Sequence, residues 1–138
     1  EESGGIAIKG HIPERDGIWM GLVIFEYMAK SGKSLETLIN EIYELVGPFK
    51  YWRDDLHIDE KLKQQIVENC KNGNYSQFGD YKIALTDTTD GFKFIFNDNE
   101  WLMIRPSGTE PVLRCYAEST TLDKAKEILS NCKSQIGI

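Results

Sequence analysis

The residues most able to do chemistry are gathered in one short run, Arg105, Pro106, Ser107, Gly108, Thr109, Glu110 and Pro111, followed by Val112, Leu113 and Arg114. Ser107 and Thr109 offer hydroxyl donors, and Arg105 offers a guanidinium that grips two oxygens at once. Gly108 is expected to let the backbone turn tightly and bring N–H groups toward a ligand, while Pro106 and Pro111 stiffen both ends. From Arg105 to Arg114 the charges sum to one net positive within a chain of net charge -6. A phosphate monoester suits such a loop, with Arg114 as a second cation. An ordinary hairpin loop rich in turn formers would use the same residue types, and the spacing of two arginines does not decide between them.

Two further segments have chemical potential. Glu1 and Ser3, in the run Glu1, Glu2, Ser3, Gly4, Gly5, set a carboxylate and a hydroxyl two positions apart, a pair able to bond adjacent sugar hydroxyls; a solvated terminus reads the same way. Lys9 to Arg15 is a basic stretch leading to a helix start at Asp16 and Gly17, where the helix dipole favours anions. A plain loop before a helix cap fits it as well. Asp87, Thr88, Thr89, Asp90 and Gly91 lack the ligand pattern of a calcium loop and read as a turn, so no metal ligands are assigned. His57 stands alone, and no Ser-His-Asp or Cys-His set is apparent.

The elements that must hold these segments are legible from period and punctuation. Asp16 caps a helix over 17–30, apolar almost all round, with Gly32 beyond it; Ser34 caps a second helix to Val46, ended by Gly47 and Pro48. A short strand is expected at 49–52 and a third helix from Asp59 to about Lys71, with Leu62, Ile66, Val67 and Cys70 on one face. Four strands follow at 81–85, 92–96, 101–105 and 112–117, the middle two joined as a hairpin by residues 97–100. A last helix over 122–135 buries Ala125, Ile128, Leu129, Cys132 and Ile136. The pattern is α+β: a small antiparallel sheet of about four to five strands with two helices, preceded by a helical segment. A linker is expected from Gly47 to about Asp54, dividing residues 1–47 from 48–138.

Composition narrows the function classes. With 138 residues, 41% apolar and 28% charged, the chain belongs among soluble globular proteins. Sixteen basic against 22 acidic residues repel nucleic-acid phosphates, so no nucleic-acid partner is expected. The apolar run 18–25 is far too short to cross a bilayer, so no membrane partner is expected either. Cys70, Cys115 and Cys132 show no C-x-x-C spacing and read as free buried thiols, which fits a cytoplasmic protein. The opening residues read as neither a signal peptide nor a natural start, and a fragment of a longer chain is expected.

Together, the Glu1 to Gly5 run, the segment His11, Ile12, Pro13, Glu14, Arg15, Asp16, Gly17, and the Arg105 to Pro111 loop, in this order, resemble the C-terminal part of the α-D-phosphohexomutases, the phosphoglucomutase and phosphomannomutase group. The resemblance covers essentially the whole chain. It implies a parent of four domains around a cleft, with a phosphorylated serine in the first and a Mg²⁺ site in the second, neither within these residues. The remaining domains of the parent chain would be its partners and a hexose phosphate its substrate, interconverted between 1- and 6-phosphates through a bisphosphorylated intermediate. On this chain the resemblance implies that Glu1 and Ser3 hold sugar hydroxyls and Arg15 lies near the reacting phosphate. Arg105, Ser107, Gly108 and Thr109, with Arg114 less firmly, grip the other phosphate. Some relatives have His where this chain has Gly5, which leaves the sugar open, with phosphoglucosamine or phosphopentose mutase parents as alternatives. A stand-alone phosphate- or sugar-phosphate-binding module, or a purely structural domain, is the rival from another class.

Overall fold

The computed structural model describes residues 5–138 and divides the chain into two compact units that part between Gly47 and Pro48. In the first unit, α1 (Gly17–Ser31) starts where the Asp16 carboxylate accepts the Trp19 N–H and ends at Gly32, whose positive φ turns its N–H back to the Met28 carbonyl. The Ser34 hydroxyl caps α2 (Leu35–Val46) by accepting from Thr37 N–H. Of these two helices only Leu38 is buried. Ile18, Leu22 and Phe25, spaced to share one stripe of α1, are 83%, 63% and 69% exposed.

In the second unit, β1 (Lys50–His57) and α3 (Glu60–Lys71) precede a small two-stranded ladder of β2 (Gln77–Phe78) and β3 (Tyr81–Lys82). Then come β4 (Leu85–Asp87), β5 (Phe92–Asn97), β6 (Glu100–Pro106), β7 (Val112–Ser119) and α4 (Leu122–Ile136). The main sheet has five strands in the order β1-β7-β6-β5-β4, every pair antiparallel. The α+β expectation therefore holds. Alternation decides the faces: Leu102, Ile104, Leu113, Cys115 and Ala117 are buried in one cluster with Ile66 and Cys70 of α3 and Ala125, Ile128, Leu129 and Cys132 of α4. All three cysteines are free and buried.

Two expectations are corrected. The strand expected at 49–52 is present but longer, so Lys50 to Asp54, also read above as linker, all belong to β1, which runs the full length of β7 from Lys50↔Ser119 to His57↔Val112. The charged residues Arg53, Asp54 and Asp55 hide the continuation of this edge strand past Trp52, and its side chains are mostly exposed. The strand expected at 81–85 is two pieces, because Tyr81 and Lys82 pair with β2 while Leu85 turns to pair with Ile95 of β5.

The 87–91 segment is a turn, as expected: Asp87 Oδ1 accepts from the Thr89 N–H at 2.9 Å and from its hydroxyl at 2.7 Å. Gly91, at φ 99°, lies so close to β6 that an added Cβ would sit 3.0 Å from the Ile104 carbonyl oxygen. Only glycine combines that φ with that approach.

Three outcomes follow from these contacts. Gly91→Ala is expected to lower the unfolding free energy by about 1–3 kcal/mol in denaturant titration. Burial pushes the Glu100 carboxyl up, but bonds from Asn97 and Ser119 and the nearby Lys124 outweigh it, so the group lies below its ordinary 4.5. Its stabilisation is therefore full above that value and is lost as pH falls through the lower folded value. Glu100→Gln should flatten this acid limb of the pH–stability curve. Finally, the Ile18, Leu22, Phe25 stripe should drive concentration-dependent self-association that Leu22→Lys with Phe25→Lys abolishes. Light scattering that shows a monomer at every concentration would refute that expectation.

Candidate anion-binding site

The β6–β7 connection folds on bonds supplied by its own residues. The Ser107 N–H donates to the Val112 carbonyl at 3.0 Å and closes the hairpin. Ser107 Oγ then accepts from the N–H groups of Thr109, at 3.4 Å, and Glu110, at 3.3 Å. An oxygen that accepts twice in this way keeps its own hydrogen free to donate outward. From below, the loop is tied to the chain: Ile58 N–H donates to the Pro111 carbonyl at 3.4 Å, and Lys63 Nζ donates to the carbonyls of Ser107 and Glu110.

Gly108 plays a different part from the one expected. Its φ is not positive, so the turn does not require glycine. Instead, a Cβ built on it meets nothing within 4 Å, so the missing side chain keeps the outer surface of the loop open. No bond to the Gly108 N–H is made among the described residues. The groups left to meet a ligand are this amide and the hydroxyl hydrogens of Ser107 and Thr109.

Register places the two arginines. Arg105 of β6 lies directly opposite Arg114 of β7, and alternation sends both to the face away from α3 and α4. Like charges facing each other across a ladder are unfavourable unless anions sit beside them. Here Asp90 Oδ1 is 3.4 Å from Arg105 Nε, and Glu110 Oε2 is 3.7 Å from Arg114 Nη2. Arg114 Nε is buried without a hydrogen-bond partner, so that guanidinium keeps a donor in reserve. Such half-exposed pairs are each worth at most about 1 kcal/mol, weak enough for a competing anion to displace them. An open hollow of about 760 Å³, bordered by Lys71, Thr88, Asp90, Arg105 and Pro106, adjoins the loop. A second of about 410 Å³ is bordered by Lys63, Lys71, Ser107 and Gly108.

Thus Arg105, Ser107, Gly108, Thr109 and Arg114 come together on one hairpin. Glu1 and Ser3 lie outside the described residues. Arg15 is in the first unit, exposed on the segment before α1, with its N–H donating to Glu14 Oε1 at 2.9 Å. Gly5 passes close beneath it: a Cβ there would lie 2.5 Å from Arg15 Cδ, so a larger residue would move the arginine. The N-terminus of α1, weighed above as an anion site, already holds the Asp16 carboxylate. The Trp19 N–H and the His11 ring, which stacks on Trp19 at 4.2 Å, hold that carboxyl below its usual range. Burial pushes the Cys70 thiol up to about 12, which makes it unreactive. No group of three or more His, Cys, Asp and Glu side chains among the described residues could hold a metal ion, so the Mg²⁺ that the resemblance implies finds no ligand set here.

Three participants were not anticipated. Asp90 pairs with Arg105 across a turn read only as a turn, and Lys71 borders both hollows. Lys63 is buried, and its signal was present: it stands three, four and seven residues before Ile66, Val67 and Cys70, inside the apolar stripe.

Known proteins place these features in a family. The phosphoglucomutase/phosphomannomutase C-terminal domain matches residues 57–132, and the alpha/beta/alpha domain III of the same proteins matches residues 1–46. A phosphoglucomutase/phosphomannomutase of Thermococcus kodakarensis is 35% identical over 129 residues, which are 94% of this chain and 26% of that protein. A phosphomannomutase of Salmonella muenchen is 40% identical, over 91% of this chain and 27% of its own length. A probable phosphoglucosamine mutase of Methanobrevibacter smithii is 31% identical, over 85% of this chain and 25% of its own length. The chain spans about a quarter of the length of these curated relatives. With both regions of the chain matched in the order the family has them, the chain belongs to the phosphoglucomutase/phosphomannomutase family, as its C-terminal part.

Proposed function

We propose that this chain is the substrate-phosphate clamp of a mutase that interconverts hexose 1-phosphate and hexose 6-phosphate. The carrying observation is the β6–β7 loop, where open donors of Ser107, Gly108 and Thr109 stand beside the register pair Arg105 and Arg114. Residues 48–138 form the phosphate-binding domain, and residues 1–47 the end of the preceding domain. Glu1 and Ser3 hold sugar hydroxyls, and Arg15 lies near the reacting phosphate.

The clamp binds the phosphate that is not reacting. Arg105 takes two of its oxygens, the Gly108 amide and the two hydroxyls take others, and Arg114 balances the charge. Because the bisphosphorylated intermediate must turn end for end, the clamp recognises a phosphate group and not a particular sugar carbon. A loop held rigidly by its own bonds does this without reorganising at each turn. The phosphorylated serine and the Mg²⁺ site belong to other parts of the longer protein, so this chain alone is expected to bind a sugar phosphate without isomerising it. The relatives' names span glucose, mannose and glucosamine, and a hexosamine parent fits the clamp equally. The buried free thiols support a reducing, cytoplasmic setting.

Amide chemical-shift titration with glucose 6-phosphate tests this directly. Shifts should centre on residues 107–110. Charge-assisted bonds of about 1.5–3 kcal/mol mean that Arg105→Ala should weaken binding about tenfold or more. Lys133→Ala, whose ammonium pairs with Asp54 on α4 and β1, should leave it unchanged. Shifts that avoid the loop, or survive Arg105→Ala, would make the loop an ordinary hairpin connection.

A further inference from the structure

We propose that Lys63 is a positioning residue that aims the phosphate loop, an inference that rests on the function proposed above. Lys63 is only 9% exposed, and its Nζ donates to the Ser107 carbonyl at 3.3 Å and the Glu110 carbonyl at 3.1 Å, with Glu60 Oε2 at 2.8 Å. A buried ammonium persists only when its donors are matched, and here each of its three hydrogens has an acceptor.

The position is a poor one for a lysine on local grounds. It lies in the first turn of α3, next to the positive end of the helix dipole, and within the stripe that buries Ile66 and Cys70. Asp59 already caps that end by accepting the Leu62 N–H at 2.9 Å. Helix formation and core packing would both prefer another residue, so the reason for Lys63 lies in the loop it touches.

Peptide geometry shows what the contact does. In a trans peptide the carbonyl of one residue and the N–H of the next point in opposite directions, and the chain has no cis bond among the described residues. Drawing the Ser107 carbonyl onto Lys63 therefore turns the Gly108 N–H away from that ammonium, and Gly108 carries no Cβ to crowd the loop's outer surface. At the other end, the Glu110 carbonyl precedes Pro111, which has no N–H to misdirect. Lys63 thus removes both carbonyl oxygens from the path of an anion and presents the one unbonded loop amide to it. Glu60 completes the arrangement: the Lys63 ammonium holds its carboxyl below the ordinary range, so it stays ionised beside the cation.

The test uses the whole 138-residue chain, inorganic phosphate and glucose 6-phosphate as probes, and amide exchange as a second readout. Lys63→Met keeps the stem and removes the donors. It should weaken both probes by about tenfold, the scale of a lost charge-assisted anchor, and speed exchange of the Thr109 and Glu110 amides, while core amides such as Leu102 and Leu129 keep their protection. Lys63→Arg should recover most of the affinity, which a purely structural role would not require. If Lys63→Met does not fold, Lys63→Gln, able to serve one carbonyl, should give an intermediate loss. Unchanged affinity and unchanged loop exchange in these variants would overturn the proposal. Absence of phosphate-dependent shifts in the unsubstituted chain would instead overturn the proposed function, and the exchange comparison would still decide whether Lys63 shapes the loop.

Discussion

The register of β7 between β1 and β6 is the constraint on which the second unit depends. Because side chains alternate along a strand, one register decides two outcomes at once. Leu113, Cys115 and Ala117 go to the helices, and Arg114 goes to the opposite face across from Arg105. A slip of one residue would bury an arginine and expose three core side chains. The hydrophobic core therefore enforces the placement of the two guanidiniums, and the site needs no separate device to bring them together.

Electrostatics then act locally against the average of the chain. A protein of net charge -6 repels a phosphate at long range, yet the hairpin concentrates Arg105, Arg114 and Lys63 within one region. Asp90, Glu110 and Glu60 neutralise them one by one. The acids on the arginines are exposed and exchangeable, whereas Glu60 answers a cation that is buried and fixed. The distinction separates the groups that would meet a ligand from the group that holds the loop.

Most of this architecture was legible because its punctuation is local. Asp16, Ser34 and Asp59 cap helices through their own side chains, and Gly32 and Gly47 end them, so the boundaries appear in the residues themselves. What escaped was set at a distance. β1 continues from the expected strand through Arg53, Asp54 and Asp55 to His57 because β7 lies beside it, although those charged residues resemble a linker. Tyr81 and Leu85 belong to different ladders because their partners differ. Gly108 was read as a turn former, when its lack of a side chain is the relevant property. Lys63 was passed over because a lysine in a helix is taken as solvated until its partners, across the fold, are known.

Those partners are far along the chain. Lys63 reaches Ser107 across 44 residues and Glu110 across 47, and β1 pairs with β7, the last strand of the chain. Contacts of this span carry a larger loop-closure cost than those within the helices or the β5–β6 hairpin. The candidate anion loop therefore depends on contacts between distant parts of the second unit and needs that unit to be complete. A sugar phosphate that bound there as proposed would select the finished fold and stabilise it by mass action, linking ligand supply to the lifetime of the folded protein through one loop.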